Sequence, residues 1–283
     1  MKKIYLFLLF NILGITNSQI ISGKIIAEEN NQPISFARIG VENENVGAIS
    51  DENGNYKIDL TNTDKTKKIM IQLGGYVSFF QAVKDFVNSD NHNIILKEKW
   101  SEIAEVILNP KKYDYKNLGA NGKSKKMGFW YHSNGKSSDN WREETAVFFS
   151  NKKKLKIEKI NINIAEFNVD QSVLLNFNVY SVKNNRPDQS ILSEFLTAEL
   201  SENKIKDGVF STDLKDKSVW INNEDFFVSV QIVSSFKGKM GFSGVLLKPV
   251  YIRTYYNQWE KTAIGSPAIN IDVKVEKEKR RKI

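Results

Sequence analysis

The stretch GAISDENGNYKI, residues 47–58, carries the alternation and the turn residues that decide the fold. Tyr56 and Ile58 are apolar and their neighbours are polar, so the two side chains share one face of an extended strand. Before them, Asp51 can cap a tight turn through its carboxylate, and Gly54 can adopt the positive φ that such a turn requires. The stretch therefore predicts a turn that leads into a half-buried β-strand.

The same period-two alternation extends along most of the chain. Short runs end in turn residues such as Asn30-Asn31-Gln32-Pro33 and Gly74-Gly75, which is typical of sandwiches built from hairpins. A phase change predicts a bulge near Glu158-Lys159, and Leu192–Leu200 fits either a short helix or a strand. The alternating apolar positions include Ala37, Ile39, Val41, Ile69, Ile71, Leu73, Ile160, Ile162, Ile164, Val173, Leu175, Phe177, Val179, Val228, Val230, Ile232, Val250 and Ile252. The sequence therefore predicts an all-β protein.

The chain of 283 residues is long enough for two domains. Residues 109–128 contain Pro110, several glycines and six lysines, which favours an interdomain linker between two separately folding units. We expect a first sandwich over 19–108, a second over 129–275 and a basic tail over 276–283.

The first 18 residues are typical of an export signal. Lys2 and Lys3 precede an apolar run from Ile4 to Ile15, which is shorter than the about 20 residues that a membrane-spanning helix needs. Thr16 and Ser18 are the small residues expected before a cleavage site. The sequence therefore predicts cleavage between Ser18 and Gln19, export of the protein to the periplasm, outer membrane or cell surface, and no transmembrane span.

Several motifs in the first half resemble the carboxypeptidase regulatory-like domain. They are the opening run over 21–41 with its A-x-I-x-V element, the turn and strand over 47–58, Gly75-Tyr76, and the closing runs over 94–96 and 103–106. The resemblance covers about 20–108 and implies a transthyretin-like sandwich of seven strands. Such domains occur in exported proteins of Bacteroidetes-type bacteria and at the N-termini of outer-membrane receptors. The second half resembles, more faintly, a jelly-roll-like sandwich.

The composition excludes several kinds of chemistry. The chain has no cysteine, so it has no disulfides, thiolate ligands or thiol nucleophile. Neither His92 nor His132 lies in the His-x-x-Glu motif of a zinc carboxypeptidase, and no G-x-S-x-G motif occurs. Asp51-x-Asn53-x-Asn55 resembles the start of a calcium loop but lacks the glutamate at its twelfth position, where Asn62 stands. We expect no enzyme activity, no metal and no cofactor.

The positive charge is concentrated in two segments. Of a formal net charge of +8, residues 109–128 hold six lysines against Asp114, and residues 273–282 hold six basic residues against Glu276 and Glu278. A nucleic-acid binder would carry this charge on its folded body, so we expect no nucleic-acid partner. Solvated charge is one interpretation, and attraction to an anionic membrane or polysaccharide is the other.

Two aromatic clusters are candidate ligand-binding residues. Trp141 follows a run of small polar residues, and Tyr255, Tyr256 and Trp259 lie together near the C-terminus. Their rings could stack on sugars, or they could pack within the sandwich, as we expect for Trp220. The sequence predicts a non-catalytic binding or adhesion module of the cell envelope, with a glycan or protein partner. The alternative is a structural accessory protein that docks to an outer-membrane partner.

Overall fold

The computed structural model describes residues 18–99, 112–135, 143–246, 248–262 and 265–277, and within these it is all-β. The predicted signal peptide up to residue 17, the start of the predicted linker, Trp141 and the end of the basic tail lie outside the described residues. None of the described helices is long and apolar enough to cross a membrane.

Seven strands form the first sandwich. One sheet has the order β4-β1-β7 and the other has the order β3-β2-β5-β6. The strands are β1 (Ile20–Ala27), β2 (Arg38–Val41), β3 (Gly47–Ile49), β4 (Asn55–Asp59), β5 (Lys68–Ile71), β6 (Phe79–Ala82) and β7 (Ile94–Leu96). The predicted apolar positions fill the space between the sheets, including Tyr56 and Ile58 on β4 and Ile69 and Ile71 on β5. A short helix, α1 (Val83–Val87), adds Val83 and Phe86 to this core.

Two larger antiparallel sheets form the second sandwich. The seven-stranded sheet has the order β13-β12-β18-β10-β20-β21, with β14 also on β12. The nine-stranded sheet has the order β15-β16-β11-β19-β22, with β17 and β23 on β11, β8 on β23 and β9 on β19. The strands are β8 (Tyr113–Gly119), β9 (Gly128–Asn134), β10 (Glu143–Phe149), β11 (Lys154–Val169), β12 (Val173–Lys183), β13 (Arg186–Ser190), β14 (Leu196–Leu200), β15 (Ile205–Lys206), β16 (Val209–Asp213), β17 (Trp220–Asn222), β18 (Phe226–Ile232), β19 (Lys237–Leu246), β20 (Val250–Thr254), β21 (Glu260–Thr262), β22 (Gly265–Pro267) and β23 (Ile269–Glu276).

The long strand β11 carries the predicted bulge. Its register against β23 shifts between Ile157 and Lys159, so Ile157 and Ile160 both point into the core despite their odd spacing. Apolar side chains of β11 and β23 meet those of β10, β12 and β18 from the opposite sheet, and these side chains form the core of the second sandwich.

The predicted linker over 109–128 is wrong for residues 113–119, which form β8. This strand pairs along its whole length with β23, from Tyr113 opposite Glu276 to Gly119 opposite Asn270. Leu118 packs against the core, and the charged residues lie on an edge strand, where charge discourages pairing with other chains. The composition of an edge strand therefore resembles that of a linker.

The two sandwiches meet along a buried contact, which we call the seam. Here the outer face of the four-stranded sheet of the first sandwich packs on the seven-stranded sheet of the second. Gly74 approaches the backbone of Glu194 so closely that a Cβ atom would lie 2.2 Å from the Glu194 carbonyl oxygen. Phe195 packs against the core of the first sandwich. Side chains of each sandwich are thus buried by the other, so the two predicted units lie in direct contact.

Candidate functional site at the seam

A buried carboxylate, Glu144 on β10, lies at the centre of the seam. Arg38 Nη1 of the first sandwich donates a hydrogen bond to its Oε2 atom over 2.6 Å, and Arg253 Nε of β20 donates to the same oxygen over 2.8 Å. The Tyr180 hydroxyl and the Ser229 hydroxyl each donate to Oε1 over 2.7 Å. The charge cluster of Arg38, Glu144 and Arg253 therefore connects the two sandwiches through a fully hydrogen-bonded carboxylate.

The electrostatic environment keeps Glu144 ionised. Burial alone would raise its pKa, but the two arginines and the hydrogen bond from Ser229 outweigh burial and lower the pKa of Glu144 to about 2. Burial also opposes the charged form of Arg38, yet Glu144 raises the pKa of Arg38 well above its ordinary value. The cluster therefore carries two positive charges and one negative charge at neutral pH.

Two of the predicted ligand-binding aromatics stabilise the excess positive charge of this cluster. The guanidinium carbon of Arg38 lies 4.5 Å from the ring centroid of Tyr256, and that of Arg253 lies 4.3 Å from the ring centroid of Trp259. Trp259 also makes an edge contact with Tyr180, with centroids 5.7 Å apart. Buried cation–π contacts of this kind stabilise a desolvated guanidinium.

The structure therefore removes Tyr256 and Trp259 from the candidate ligand platform. They are 4% and 6% exposed. The Tyr256 hydroxyl accepts a hydrogen bond from the Gln72 backbone N–H over 2.7 Å and donates to the Arg38 carbonyl over 3.0 Å. Both rings are occupied by the protein itself, so a sugar cannot stack on them.

Tyr255, the third member of the C-terminal cluster, packs against a glycine of the first sandwich. A Cβ atom on Gly47 would lie 2.5 Å from the Tyr255 ring, so the close approach requires glycine at that position. Tyr255 has a φ of +49°, which is uncommon for an aromatic residue. Trp220, which we expected in the core, is only half-buried and lies on β17 of the nine-stranded sheet. Trp259 is thus more buried than Trp220, whereas the sequence predicted the opposite.

An open groove, the seam groove, lies between the two sandwiches and has a volume of about 340 Å³. Its half-buried rings are Phe36 and Tyr76 of the first sandwich and Phe195 of the second. Phe36 has a φ of +57°, a strained conformation for a bulky residue. Polar groups at its rim include Asn30, Gln32, Ser35 and Thr197. The groove thus combines aromatic faces with neutral hydrogen-bonding groups from both sandwiches.

The other chemical candidates of the sequence take structural positions. The Asp51 carboxylate accepts hydrogen bonds from the backbone N–H groups of Asn53 and Asn55, over 2.9 and 2.8 Å, and Gly54 has a φ of +75°. His92 Nε2 lies 3.0 Å from the Phe86 carbonyl oxygen, and His132 lies on β9. Within the described ranges, no group of three or more His, Cys, Asp or Glu residues could hold a metal ion.

Arg38 and Arg253 are single charges within apolar strand runs, which is the signal that sequence reasoning missed. Arg38 lies between Ala37 and Ile39, and Glu144 precedes the run Thr-Ala-Val-Phe-Phe over 145–149. A charge at a buried strand position requires a buried partner. Such residues are therefore candidates for an ion pair between elements distant in sequence.

Comparison with known proteins supports the assignment of the first sandwich. Residues 21–108 match the family model of the CarboxypepD_reg-like domain, a span that includes nearly all of β1 and the whole of β2 to β7. The resemblance inferred from the motifs is thus confirmed for this part of the chain. A search of curated proteins finds no match to the chain.

Proposed function

We propose that this protein is a non-catalytic binding or adhesion module, exported to the cell envelope, whose seam groove binds a carbohydrate or protein. The observation that carries the proposal is the formation of this groove by residues of both sandwiches. Its volume of about 340 Å³ lies at the lower end of the range for small-molecule sites, and its lining combines rings with a few polar groups.

The buried charge cluster supports a binding function because it holds the two walls of the groove in a fixed arrangement. Arg38 follows Phe36 closely in the chain, and Arg38 is bonded to Glu144 of the second sandwich. A preorganised groove loses less conformational entropy when a ligand binds than a groove between mobile domains would.

A glycan array combined with crosslinking pull-down from cell envelopes tests the proposal. Gln32 lies at the groove rim with an exposed side chain, so Gln32→Ala should weaken binding several-fold without changing the fold. Gln189→Ala, an exposed glutamine on β13, is the matched control and should bind like the wild type. Binding that is unaffected by Gln32→Ala and by the bulkier Thr197→Trp would place the ligand outside the groove.

Export is tested separately by N-terminal sequencing. The mature protein should begin at Gln19, after removal of any pyroglutamate that blocks the sequencing reaction. An exported protein that retains Met1 would contradict the cleavage site.

One observation favours the alternative, a structural accessory protein that docks to an outer-membrane partner. Strand β6 is an edge of the four-stranded sheet, and the run Val77–Val83 contains no charged residue. Val77 and Phe80 are 50% and 49% exposed. An uncharged edge strand can accept a strand from a partner.

Phe80→Lys tests this alternative, because a lysine on an edge strand opposes pairing. The substitution should abolish capture of an envelope protein in the pull-down and leave any glycan binding unchanged. Lys68→Gln on the neighbouring strand β5 is a control that alters an exposed side chain without altering the edge. Capture that survives Phe80→Lys would exclude docking through β6.

A further inference from the structure

The tertiary structure unites the two basic segments that are far apart in the sequence. Strand β8, from the first segment, pairs with β23, whose end begins the second segment. Tyr115 lies opposite Lys274, and the Lys277 backbone N–H donates to the Lys112 carbonyl oxygen over 2.9 Å. Four lysines of the two segments, Lys112, Lys116, Lys274 and Lys277, therefore lie together on the folded body.

We call this surface the basic corner and define it by residues 112–117, 153–158, 220–222 and 272–277. It contains seven lysines against four carboxylates, so its formal net charge is +3. The lysines are Lys112, Lys116, Lys153, Lys154, Lys156, Lys274 and Lys277, and the carboxylates are Asp114, Glu158, Asp272 and Glu276. Beyond Lys277 the sequence continues with four basic residues and Glu278.

Aromatic rings lie among these lysines. Across the nine-stranded sheet, Tyr115 is opposite Lys274, Lys274 is opposite Lys156, and Lys156 is opposite Trp220. At the usual strand spacing this row is about 14 Å long. Tyr115 is 73% exposed, and Trp220 is half-buried. The row thus places an aromatic side chain at each end and two cations between them.

Further contacts bring the cations close to the rings and place amides beside them. Lys274 Nζ lies 5.1 Å from the ring centroid of Tyr113 and 5.5 Å from that of Trp220, and Lys154 Nζ lies 5.5 Å from the latter. In the next row, Asn117 lies opposite Asp272 and its amide donates to that carboxylate over 2.8 Å. The face therefore offers cations beside one exposed aromatic ring, that of Tyr115.

We propose that the basic corner is a docking surface for an anionic polysaccharide. Lysine side chains attract the carboxylate or sulfate groups of such a polymer, and the exposed ring of Tyr115 can stack on its sugar rings. The surface is an open sheet face rather than a cavity, which suits an extended polymer. It lies on the nine-stranded sheet, whereas the seam groove uses the seven-stranded sheet, so this proposal does not depend on the seam groove.

A polysaccharide fits this surface better than an anionic membrane does. Among the large apolar side chains exposed in the described part of the chain, only Tyr115 lies at the corner, so no aliphatic group is available to enter a lipid layer. The amide of Asn117 donates to Asp272 and Asn270 and accepts from Asn121, so the groups that remain for a polymer are the lysines and the ring of Tyr115.

Affinity electrophoresis of the full protein in gels that contain polygalacturonate tests the proposal, with neutral dextran as the uncharged comparison. We expect retardation by polygalacturonate alone, and its loss as salt is raised. The triple variant Lys154→Gln, Lys156→Gln, Lys274→Gln should lower the affinity about tenfold. Each ion pair between a surface lysine and the polymer contributes little by itself, and the three contributions add up. Tyr115→Ala should lower it several-fold without affecting folding, because that side chain is exposed.

The matched control removes three charges elsewhere. Lys84, Lys97 and Lys183 are exposed and distant in sequence from the corner, so their replacement by glutamine should leave retardation within about twofold of the wild type. An equal loss in both triple variants would overturn the proposal, since binding would then follow net charge. The proposal would also fail if removal of residues 278–283 abolished binding while the corner variants bound normally. The binding would then belong to the tail alone.

Two further arms distinguish other polyanions. Vesicles of phosphatidylglycerol and phosphatidylcholine should not retain the protein, and a single-stranded oligonucleotide should compete weakly with polygalacturonate. The proposal would be overturned if polygalacturonate did not retard the protein while vesicles or the oligonucleotide bound it tightly. If the corner variants also lost that binding, the lipid or the nucleic acid would be the ligand of the corner.

Discussion

Neutralising Glu144 should destabilise the protein strongly, because the substitution leaves two arginines buried without a counter-charge. Glu144 is 1% exposed, and Arg38 and Arg253 are 7% and 8% exposed. Removing one partner of a buried ion pair costs about 3–5 kcal/mol. The lowering of the pKa of Glu144 from 4.5 to about 2 corresponds to a similar contribution to the free energy of unfolding, about 3 kcal/mol at neutral pH. We therefore expect Glu144→Gln to lower the free energy of unfolding by about 3 kcal/mol or more.

Urea unfolding followed by tryptophan fluorescence measures this loss, with Glu143→Gln as the control. Glu143 is the preceding residue on β10, is only half-buried, and has a pKa raised by burial and by Glu260. Its neutralisation should change stability by less than about 0.5 kcal/mol. Arg38→Met should cost less than Glu144→Gln, because the remaining pair of Glu144 and Arg253 is neutral. Equal stability of the Glu144→Gln and Glu143→Gln variants would refute the electrostatic role of the cluster.

The pH dependence supplies an independent check with a defined sign. The folded-state pKa of Glu144 lies below its unfolded value, so its contribution is fully present above about pH 4.5 and is lost as the pH falls towards about 2. The stability difference between wild type and Glu144→Gln should therefore narrow across this window. A difference that stays constant down to pH 2 would contradict the assigned pKa.

Four other outcomes follow from the described contacts. Gly54→Val should destabilise the protein by about 2 kcal/mol in thermal melts, because Gly54 has a φ of +75° and a Cβ atom would lie 2.6 Å from the Ile25 carbonyl oxygen; an unchanged melt would contradict the turn. Gly47→Ala should cost about 1–3 kcal/mol, since its methyl group would overlap the Tyr255 ring, and Tyr255→Ala in the same chain should restore part of the loss. A variant that retains only Trp259 should emit at short wavelength and resist iodide quenching, and red-shifted, quenchable emission would contradict its burial. Limited trypsin digestion should spare Lys116, which lies in a paired strand, and early cleavage after Lys116 would indicate that β8 is detached from β23.

Much of the fold follows from local pattern. The alternation around Tyr56 and Ile58, the turn residues Asp51 and Gly54, and the phase change near Lys159 each depend on neighbours within a few positions. Strand formation, turn geometry and a bulge are decided at that range, because side chains alternate with period two and only particular residues accept positive φ. The motifs of the CarboxypepD_reg-like domain lie in the same local features.

Which residues meet at the candidate site could be learned only from the tertiary structure. A single charge in an apolar strand, such as Arg38, indicates that a buried partner exists, but Glu144 lies 106 residues away and in another sandwich, and no local pattern specifies that pairing. Trp259 and Tyr256 have the composition of a ligand platform, and only the position of the arginines assigns their faces to the protein itself.

The pairing of strands distant in sequence likewise determines where the lysines lie on the surface. Residues 113–119 include a lysine and a glycine, as a linker would, yet they pair with β23 about 150 residues later and bring lysines of two basic segments to one surface. Hydrogen bonds between strands are made by backbone groups that every residue carries, so the sequence of an edge strand restricts its partner only weakly. The alternation of side chains thus specifies strands and buried faces, whereas the contacts between distant strands specify which charges and rings meet.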